Sequence, residues 1–399
     1  MRKITRREAI AASIGSLMAR PLFAGDPAGP LAADTTAERI ALSGKAPLLK
    51  RSFRPPNFET PLADLRRPFT ANEAFFVRYH LPVIPQIDSR TWRLRVNGPA
   101  LRQTLDLSLD DLERQFERVS VAAVNQCSGN RRGLFSPRVP GVQWTNGAMG
   151  HALWTGVRLR DVLAKAKLNA DALEIAFSGA DSPVLPSTPR FAKSLPLDKA
   201  LDENTLIAFE MNGRPLPHWN GAPARLVVPG WTATYWMKHL SEISALSTAF
   251  DGFWMKSAYR VPAGAFPGAS FPSQAATDTV PITEILVSSL VTSHVSGERL
   301  ARGRRVVLTG WAWDGGKGIG AVDVSLDGGQ SWRAAQLGND LGRFAWRGFE
   351  FPLDTSRAGA INAQIRAASR DGSKQPAALT PNPSGYHHNR IQSLSLEVA

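Results

Sequence analysis

The sequence predicts an α+β fold, in which a mixed α/β domain is followed by an immunoglobulin-like β-sandwich. Residues 91–250 mix short strands and helices without the regular alternation of a doubly wound parallel sheet. After about residue 278, alternating strands separated by Gly/Asp turns follow at nearly even spacing, which is typical of a sandwich. The 33 glycines and 29 prolines also predict many turns.

Short-range patterns predict the elements of the first region. TWRLRVNG (91–98) alternates apolar and polar residues and predicts a strand that ends in a turn. LSLDDLERQF (107–116) and VRLRDVLAKAKL (157–168) have helical periodicity. VSVAAVNQC predicts a buried strand that ends at Cys127. LEIAFSGAD and TLIAFEMNGRPLP predict further strands, the second closed by an Asn-Gly turn.

The beginning of the chain resembles an export signal. It combines a basic start, the twin pair Arg6-Arg7 and a short apolar stretch from Ala9 to Met18. These features predict a Tat-type signal over residues 1–24, and hence a periplasmic location. The Tat route carries folded proteins, so a cofactor inserted before export is expected.

The rest of the chain divides into three predicted segments. Residues 25–70 are rich in Pro, Ala and Arg, which predicts an extended segment that wraps onto the body. The mixed domain is placed at 71–275 and the sandwich at 276–399, with the boundary in a Pro/Ser/Ala/Thr-rich stretch. The sandwich core is expected to rest on Trp311, Trp313, Trp332 and Trp346 together with the alternating aliphatic residues.

Composition excludes several classes of protein. With 43% hydrophobic and 20% charged residues, the chain can bury real cores. Its net charge of +13 favours anionic ligands or an acidic partner. The chain has no run of Lys and Arg interleaved with aromatic residues, so its charge does not by itself imply nucleic-acid binding. No later apolar run is long enough for a membrane span. A single cysteine excludes an internal disulfide and a zinc site built from several thiolates.

That single cysteine, Cys127, lies in CSGNRRG beside Arg131 and Arg132. A thiolate next to guanidinium groups is stabilised, which suits a nucleophile or a metal ligand better than a packing residue. A nucleophile needs a histidine base, and His80, His151 and His218 are the candidates for one brought near in space. The residues alone leave both roles open.

Several separated motifs resemble one family. CSGNRRG, FFVRYHLPVI (75–84), LIAFEMNGRPLP and ARLVVPGWTATYWMKHL occur in the order and spacing of the sulfite oxidase family, over about residues 70–390. The plan is most similar to that of its stand-alone bacterial periplasmic sulfite dehydrogenases. The resemblance implies a molybdopterin domain followed by a sandwich associated with homodimerisation.

The resemblance also assigns site residues. It implies that Cys127 binds the molybdenum of a molybdopterin cofactor, and that Arg78, His80, Arg132 and Tyr259 form the catalytic anion pocket. The implied cofactor contacts are Phe76, Val77, Arg78, Tyr79, His80, Asp181, Asn220, Arg225, Trp236, Met237 and Lys238. Arg225 and Lys238 suit the phosphate of the pterin. Animal members have histidine where this chain has Asn220, and His218 lies two residues away.

Other polar residues are expected to have structural roles. Arg131 is expected to be a structural neighbour of the pterin or a surface cap. His294, His387 and His388 are expected in solvated turns. Of the four tyrosines, Tyr386 lies near the C-terminus and receives no role.

The implied activity is oxidation of sulfite to sulfate. The chain has no C-x-x-C-H motif and no His-Pro-Gly-Gly segment, which predicts no haem. Electrons are therefore expected to leave singly for a separate periplasmic c-type cytochrome. Two alternatives remain open: an S/N-oxide reductase of the same fold, and a non-catalytic oxyanion-binding protein.

Overall fold

The computed structural model describes residues 37–263, 279–379 and 382–399. The predicted export signal and the predicted boundary at 275/276 lie outside these residues. We call residues 37–263 the first unit and the rest of the described chain the second unit. Within these ranges, no helix is long and apolar enough to span a membrane.

Strands dominate both units. The strands are β1 (Arg39–Ala41), β2 (Pro47–Ser52), β3 (Asn57–Glu59), β4 (Val77–Arg78), β5 (Leu94–Asn97), β6 (Leu105–Leu107), β7 (Arg118–Gln126), β8 (Met149–Arg158), β9 (Glu174–Gly179), β10 (Ala192–Pro196), β11 (Leu206–Met211), β12 (Arg214–Pro215), β13 (Arg225–Val227), β14 (Leu240–Leu246), β15 (Arg260–Pro262), β16 (Thr279–Pro281), β17 (Ser288–Val291), β18 (Arg299–Leu300), β19 (Val306–Trp313), β20 (Ile319–Ser325), β21 (Arg333–Ala334), β22 (Gln336–Leu337), β23 (Arg347–Leu353), β24 (Gly359–Ser369) and β25 (Gln392–Val398). The α-helices are α1 (Leu109–Gln115), α2 (Leu159–Lys165), α3 (Leu197–Ala200) and α4 (Phe253–Lys256). Short 3₁₀ turns cover Leu62–Leu65, Arg132–Leu134, His218–Asn220 and Ala233–Tyr235.

The sheets confirm the predicted fold class. The first unit contains the sheets β1-β2-β3-β4, β10-β9-β14-β5-β6 and β12-β11-β8-β7, with β13 also paired to β11. The pairing of β14 with β5 is parallel, whereas the other pairings of these three sheets are antiparallel. The second unit contains the two sheets of the sandwich, β17-β19-β23-β22 and β18-β25-β24-β20-β21.

Local sequence signals explain the element ends. Helix α1 begins with a capping box, in which the Ser108 hydroxyl accepts from the Asp111 N–H and the Asp111 carboxylate accepts from the Ser108 N–H. Helix α2 begins two residues later than predicted, because residues 157 and 158 belong to β8 and pair with β7 and β11. The predicted turn after β11 is present, with positive φ at both Asn212 and Gly213.

The described part of the predicted N-terminal segment, residues 37–70, contains three strands of a small sheet instead of extended chain alone. β3 pairs with β4, and Asn57 lies opposite Arg78. The buried Lys45 inserts its ammonium group among three acceptors, the carbonyls of Asn72 and Phe75 and the side-chain oxygen of Asn220, at 2.7, 2.9 and 2.5 Å. These contacts fix the backbone just before β4, which carries candidate site residues.

The predicted sandwich core is wrong in its tryptophans and confirmed in its aliphatic residues. Strand side chains alternate, so Leu308 and Ala312 of β19 face the sandwich core while Trp311 and Trp313 face the first unit. Trp313 and Trp346 are buried against a cluster that also contains Leu65, Val124, Met149, Ile285 and Leu290. Trp332 lies half-buried under Arg366. The sandwich core is aliphatic, with Phe349 and Phe351.

The tryptophan contact between the units is expected to be a main source of stability. Trp346 is 1% exposed, stacks on Trp311 and donates from its indole to the Pro68 carbonyl at 2.7 Å. We expect Trp346→Ala to lower the free energy of unfolding by about 3–5 kcal/mol, because it removes a large buried side chain. Urea denaturation measures the change. The exposed Leu341→Ala is the control, with a change under about 0.5 kcal/mol, and an equally small loss in Trp346→Ala would contradict the assignment.

Candidate active site

Along residues 76–80, which include β4, successive side chains point alternately into two environments. Phe76, Arg78 and His80 point into a cleft of about 600 Å³ of empty space, including its open side. Val77 and Tyr79 point the other way, into a separate apolar cluster. Any contact of Val77 or Tyr79 with a ligand in the cleft is therefore through the backbone, because their side chains do not line it.

The cleft collects most of the predicted site residues. Its lining consists of Phe75, Phe76, Arg78, His80, Asn125, Cys127, Ser128, Asp181, Phe191, Trp219, Asn220, Arg225, Ala233, Thr234, Trp236, Met237, Lys238 and Tyr259. The lining residues without a predicted role are Phe75, Asn125, Ser128, Phe191, Trp219, Ala233 and Thr234. Asn125, Ser128 and Thr234 lie close in sequence to Cys127 or Trp236, but nothing in the motifs distinguished them from their neighbours. Phe191 lies just before β10, far in sequence from the motifs, and only folding brings it to the cleft.

Cys127 lies immediately after β7, where a tight turn aims it at the cleft. Its N–H donates to the Ala148 carbonyl at 2.9 Å, and its carbonyl accepts from Asn130 at 2.9 Å. The thiol is buried, and Arg78 lines the same cleft. A guanidinium cannot accept a proton, so Arg78 cannot be the base of a nucleophilic thiol. The lack of a base at Arg78 favours a metal-ligand role.

The histidine candidates do not supply that base. The His80 ring nitrogen Nε2 is already engaged with the Tyr259 hydroxyl at 2.5 Å. His151 and His218 do not line the cleft. Among the described residues, no group of three His, Cys, Asp or Glu side chains is placed to hold a metal ion. The cleft therefore offers Cys127 as its soft ligand, which suits a metal that brings further ligands with its cofactor.

A second cavity, which we call the chamber, lies on the other side of Cys127. It has about 800 Å³ of empty space, including its open side. The chamber is lined by Arg78, Cys127, Gly129, Arg132, Pro140, Gly141, Val142, Tyr259, Pro383, Ser384 and Tyr386. Arg78, Cys127 and Tyr259 line both cavities, so the thiol lies at their junction.

Arg132 lies in the chamber and is held there by backbone. Its Nε donates to the Ser384 carbonyl at 2.7 Å and its Nη1 to the Val142 carbonyl at 3.3 Å. Gly129 makes room for it, since a Cβ at that position would lie 2.5 Å from Arg132 Nη1. In the described part of the chain, no carboxylate pairs with Arg132. The chamber therefore contains a guanidinium whose charge no acidic side chain balances.

Arg131 has a different environment, and its interpretation as a surface cap is wrong. It is buried, and it donates to the Asn146 side chain at 3.0 Å and to the Ser289 carbonyl of the second unit at 2.7 Å. Burial lowers the pKa of Arg131 to about 10. A left-handed backbone at Arg131, with φ of +67°, turns the two neighbouring arginines in different directions. Arg131 therefore joins the units, and Arg132 faces the chamber.

Tyr259, His80 and Arg78 form a connected group. Arg78 Nη2 donates to the Tyr259 hydroxyl oxygen at 3.2 Å. His80 stacks on Phe191 with 3.6 Å between ring centroids. Burial, with the charges of Arg78, Lys238 and Lys193, holds the pKa of His80 well below its usual value. Burial also raises the pKa of Tyr259. His80 is therefore neutral and Tyr259 protonated at neutral pH.

The cleft lining also contains the cationic residues Arg225 and Lys238. Arg225 donates to the carbonyls of Asn220 and Trp236 at 2.9 and 3.0 Å, and burial lowers its pKa to about 9. Lys238 donates to the Arg78 carbonyl at 2.7 Å, and burial lowers its pKa to about 7. Asp181 is the acidic residue of the lining, and burial raises its pKa. An anionic ligand would relieve the cost of these buried cations.

Unpaired polar atoms test whether a molybdopterin fits this cleft. Asn125 Nδ2, Ser128 Oγ, Thr234 Oγ1 and Arg225 Nε are buried without hydrogen-bond partners, and all four residues line the cleft. Such atoms are costly unless a ligand satisfies them. Molybdopterin is rich in polar groups, carries a phosphate and accepts a protein thiolate at its metal. The donors, the cations and Cys127 therefore fit this group.

The structure also refines the expectations for His387, His388 and Asn220. His387 and His388 are half-buried rather than fully solvated, and burial lowers their pKa values to about 4 and about 3. The Asn220 side chain is engaged by Lys45 and by the Phe76 carbonyl. Asn220 therefore lines the cleft mainly as part of its wall. Tyr386, which received no role, lines the chamber.

The lowered pKa of Lys238 gives a pH dependence to stability. Because the pKa falls from 10.5 to about 7, between these values the unfolded chain binds a proton that the folded chain lacks. The free energy of unfolding of the cofactor-free protein should therefore rise with pH across this window. We expect Lys238→Met to reduce that slope by up to about 1.4 kcal/mol per pH unit between pH 7 and 9, measured by urea denaturation. Exposed Lys317→Met should leave the slope unchanged, and an unchanged slope in Lys238→Met would contradict the assignment.

Comparison with known proteins places this geometry in a family. Residues 80–254 match the oxidoreductase molybdopterin binding domain, and residues 279–396 match the Mo-co oxidoreductase dimerisation domain. Mitochondrial sulfite oxidase of Homo sapiens is 36% identical over 350 residues, which cover 84% of this chain and 63% of that protein. Sulfite oxidase of Gallus gallus is 34% identical over 343 residues, 83% of this chain and 73% of that protein.

A solved structure agrees with these relatives. The sulfane dehydrogenase SoxCD from Paracoccus pantotrophus superposes with a TM-score of 0.73 at 25% identity, covering 98% of each chain. The chain thus spans less than two thirds of the length of the human relative but nearly all of the SoxCD chain. The two matched domains, the aligned relatives and the junction at Cys127 lead to one conclusion: the chain belongs to the sulfite oxidase family.

Proposed function

We propose that this chain binds molybdopterin and oxidises sulfite to sulfate in the periplasm, and that it passes the electrons one at a time to a separate c-type cytochrome. One observation carries the proposal. Cys127 lies at the junction of a cleft with unpaired polar atoms and cations and a chamber with two guanidinium groups. Relatives named as sulfite oxidases at 34–36% identity support the choice of sulfite.

The cofactor would be held by residues of the cleft. Cys127 would be the protein ligand to molybdenum, and Arg225 and Lys238 would neutralise the phosphate. Asn125, Ser128 and Thr234 would provide the remaining polar contacts. The bound metal centre supplies two-electron oxidation and oxygen transfer to sulfur.

The chamber binds the substrate dianion. Arg78 and Arg132 donate from two sides, and their backbone contacts keep both guanidinium groups in place before the anion enters. Such preorganised charge lowers the cost of binding and orients the reacting sulfur. Because Arg78 lines both cavities, it also holds the substrate next to Cys127.

Tyr259 and His80 form a hydrogen-bonded pair beside the chamber in which protons are released. Sulfite and water give sulfate, two protons and two electrons, so protons must leave the chamber. Arg78 only donates, so the Tyr259 oxygen accepts from it, and the Tyr259 O–H is free to donate to neutral His80. Neutral His80 would hold the Tyr259 hydroxyl in place instead of storing a proton, because burial and neighbouring cations hold the pKa of His80 well below its usual value.

Further parts of the proposal rest on the sequence. The twin-arginine start supports export to the periplasm, and the positive net charge of +13 supports an acidic acceptor protein. The absence of a haem-binding motif from the sequence supports an external haem acceptor. The match of residues 279–396 to a dimerisation domain supports a homodimer.

Replacing the thiol tests the proposal directly. The protein expressed with a molybdopterin supply should contain about one molybdenum per chain and reduce ferricyanide or cytochrome c when sulfite is added. Cys127→Ser should lose at least about 100-fold in kcat, because a hard hydroxyl replaces the soft ligand. Elemental analysis and a steady-state assay measure both effects.

The outcomes separate the alternatives. Absence of molybdenum from the wild type, with oxyanion affinity unchanged in Cys127→Ser, would indicate a binding protein. Molybdenum without sulfite-dependent reduction, together with reduction of an S- or N-oxide, would indicate a reductase. Either result overturns sulfite oxidation.

Removing the chamber cation should affect substrate binding more than turnover. We expect Arg132→Met to raise the KM for sulfite roughly 10- to 100-fold while kcat changes less, since one of two charged contacts to the dianion is lost. The control is Arg138→Met, an exposed arginine of the same loop that lines neither cavity. Equal KM values in the two variants would contradict the role of Arg132.

A further inference from the structure

The chamber is completed by the second unit. Pro383, Ser384 and Tyr386 form one wall, opposite the residues contributed by the first unit. They are more than 120 residues distant in sequence from Tyr259, the nearest chamber residue of the first unit. Among the four tyrosines of the chain, Tyr386 is thus the second that reaches the chamber.

The segment that carries Tyr386 is held in place by its own contacts. The Asn382 side chain donates to the Tyr386 carbonyl at 2.8 Å and accepts from the Tyr386 N–H at 3.0 Å, which closes a small ring. Gly385 has φ of +59° and lies so close to the first unit that a Cβ there would be 2.4 Å from Val139. Ser384 accepts the hydrogen bond from Arg132. The Tyr386 ring is therefore a fixed part of the wall.

The Tyr386 ring contacts two residues of the proposed anion pocket. It stacks on Tyr259 with 5.6 Å between centroids and an interplanar angle of 23°. The Arg132 guanidinium carbon lies 5.3 Å from the centre of the same ring. A cation beside an aromatic face is attracted by the ring quadrupole, and the attraction grows when water is excluded, as it is at this 5% exposed side chain.

We infer that Tyr386 is a positioning residue for the oxyanion: its ring holds Arg132 and Tyr259 in the arrangement that binds the substrate. The inference rests on the proposed function and adds a residue of the second unit to the chamber. Tyr386 acts through the two residues that it contacts. It should therefore control anion affinity and KM more than kcat, and the ring rather than the hydroxyl should carry the effect.

The test measures sulfate binding as well as turnover. Sulfate is the proposed product, and its titration into the molybdenum-loaded protein by calorimetry does not depend on catalysis. We expect Tyr386→Leu to raise the Kd for sulfate and the KM for sulfite about tenfold, with kcat changed less than about threefold. Tyr386→Phe retains the ring and should keep both constants within about twofold of the wild type.

A matched control separates positioning from general destabilisation. Phe351 is also buried and also lies against a guanidinium, that of Arg333 at 4.9 Å, but it belongs to the sandwich core. Phe351→Leu should lower the melting temperature without changing the Kd for sulfate. An unchanged Kd in Tyr386→Leu, or an equal loss in the Leu and Phe variants, would overturn the inference.

Failure of the inference and failure of the proposed function give different results. A wild type that binds sulfate but does not oxidise sulfite contradicts the proposed function, and the Tyr386 variants still report on the anion pocket. A wild type that oxidises sulfite with no dependence on the Tyr386 ring contradicts the inference alone. A wild type without any affinity for sulfate overturns the inference.

Discussion

Buried positive charge is the constraint on which the site depends. Arg78, Arg132, Arg225 and Lys238 line the two cavities that share Cys127, and Asp181 is the acidic residue of the cleft lining. Withdrawing these cations from water costs free energy that backbone carbonyls offset only in part. An anion bound on each side of Cys127 would offset the rest of this desolvation cost. The cofactor phosphate would lie on one side and the substrate oxyanion on the other.

Contacts from the rest of the fold keep these cations in positions where desolvation costs free energy. The N-terminal sheet pins the backbone before Arg78 through Lys45. The second unit reaches back to hold Arg132 through Ser384, and it accepts Arg131 at Ser289. Trp311, Trp313 and Trp346 face away from the sandwich core and form the apolar part of this contact between the two units. The sandwich thus contributes to the site as well as to the predicted dimer.

The sequence could predict the site where a motif is local. Cys127, Arg132 and the alternating residues of FFVRYH lie in short segments, and the strands and helices around them follow from hydrophobic period and caps. The sequence could not show that alternation turns Val77 and Tyr79 away from the cleft, because the register of β4 depends on its pairing with β3. Nor could it place Tyr386, since its neighbours Arg132 and Tyr259 are distant in sequence.

The central claim is that Cys127 donates its sulfur to a metal held by the cationic cleft. X-ray absorption at the molybdenum edge counts the sulfur atoms bound to the metal, without any assay of activity. The account predicts one fewer sulfur ligand in the molybdenum-loaded Cys127→Ser protein than in the wild type. An equal number of sulfur ligands in the two proteins would contradict it.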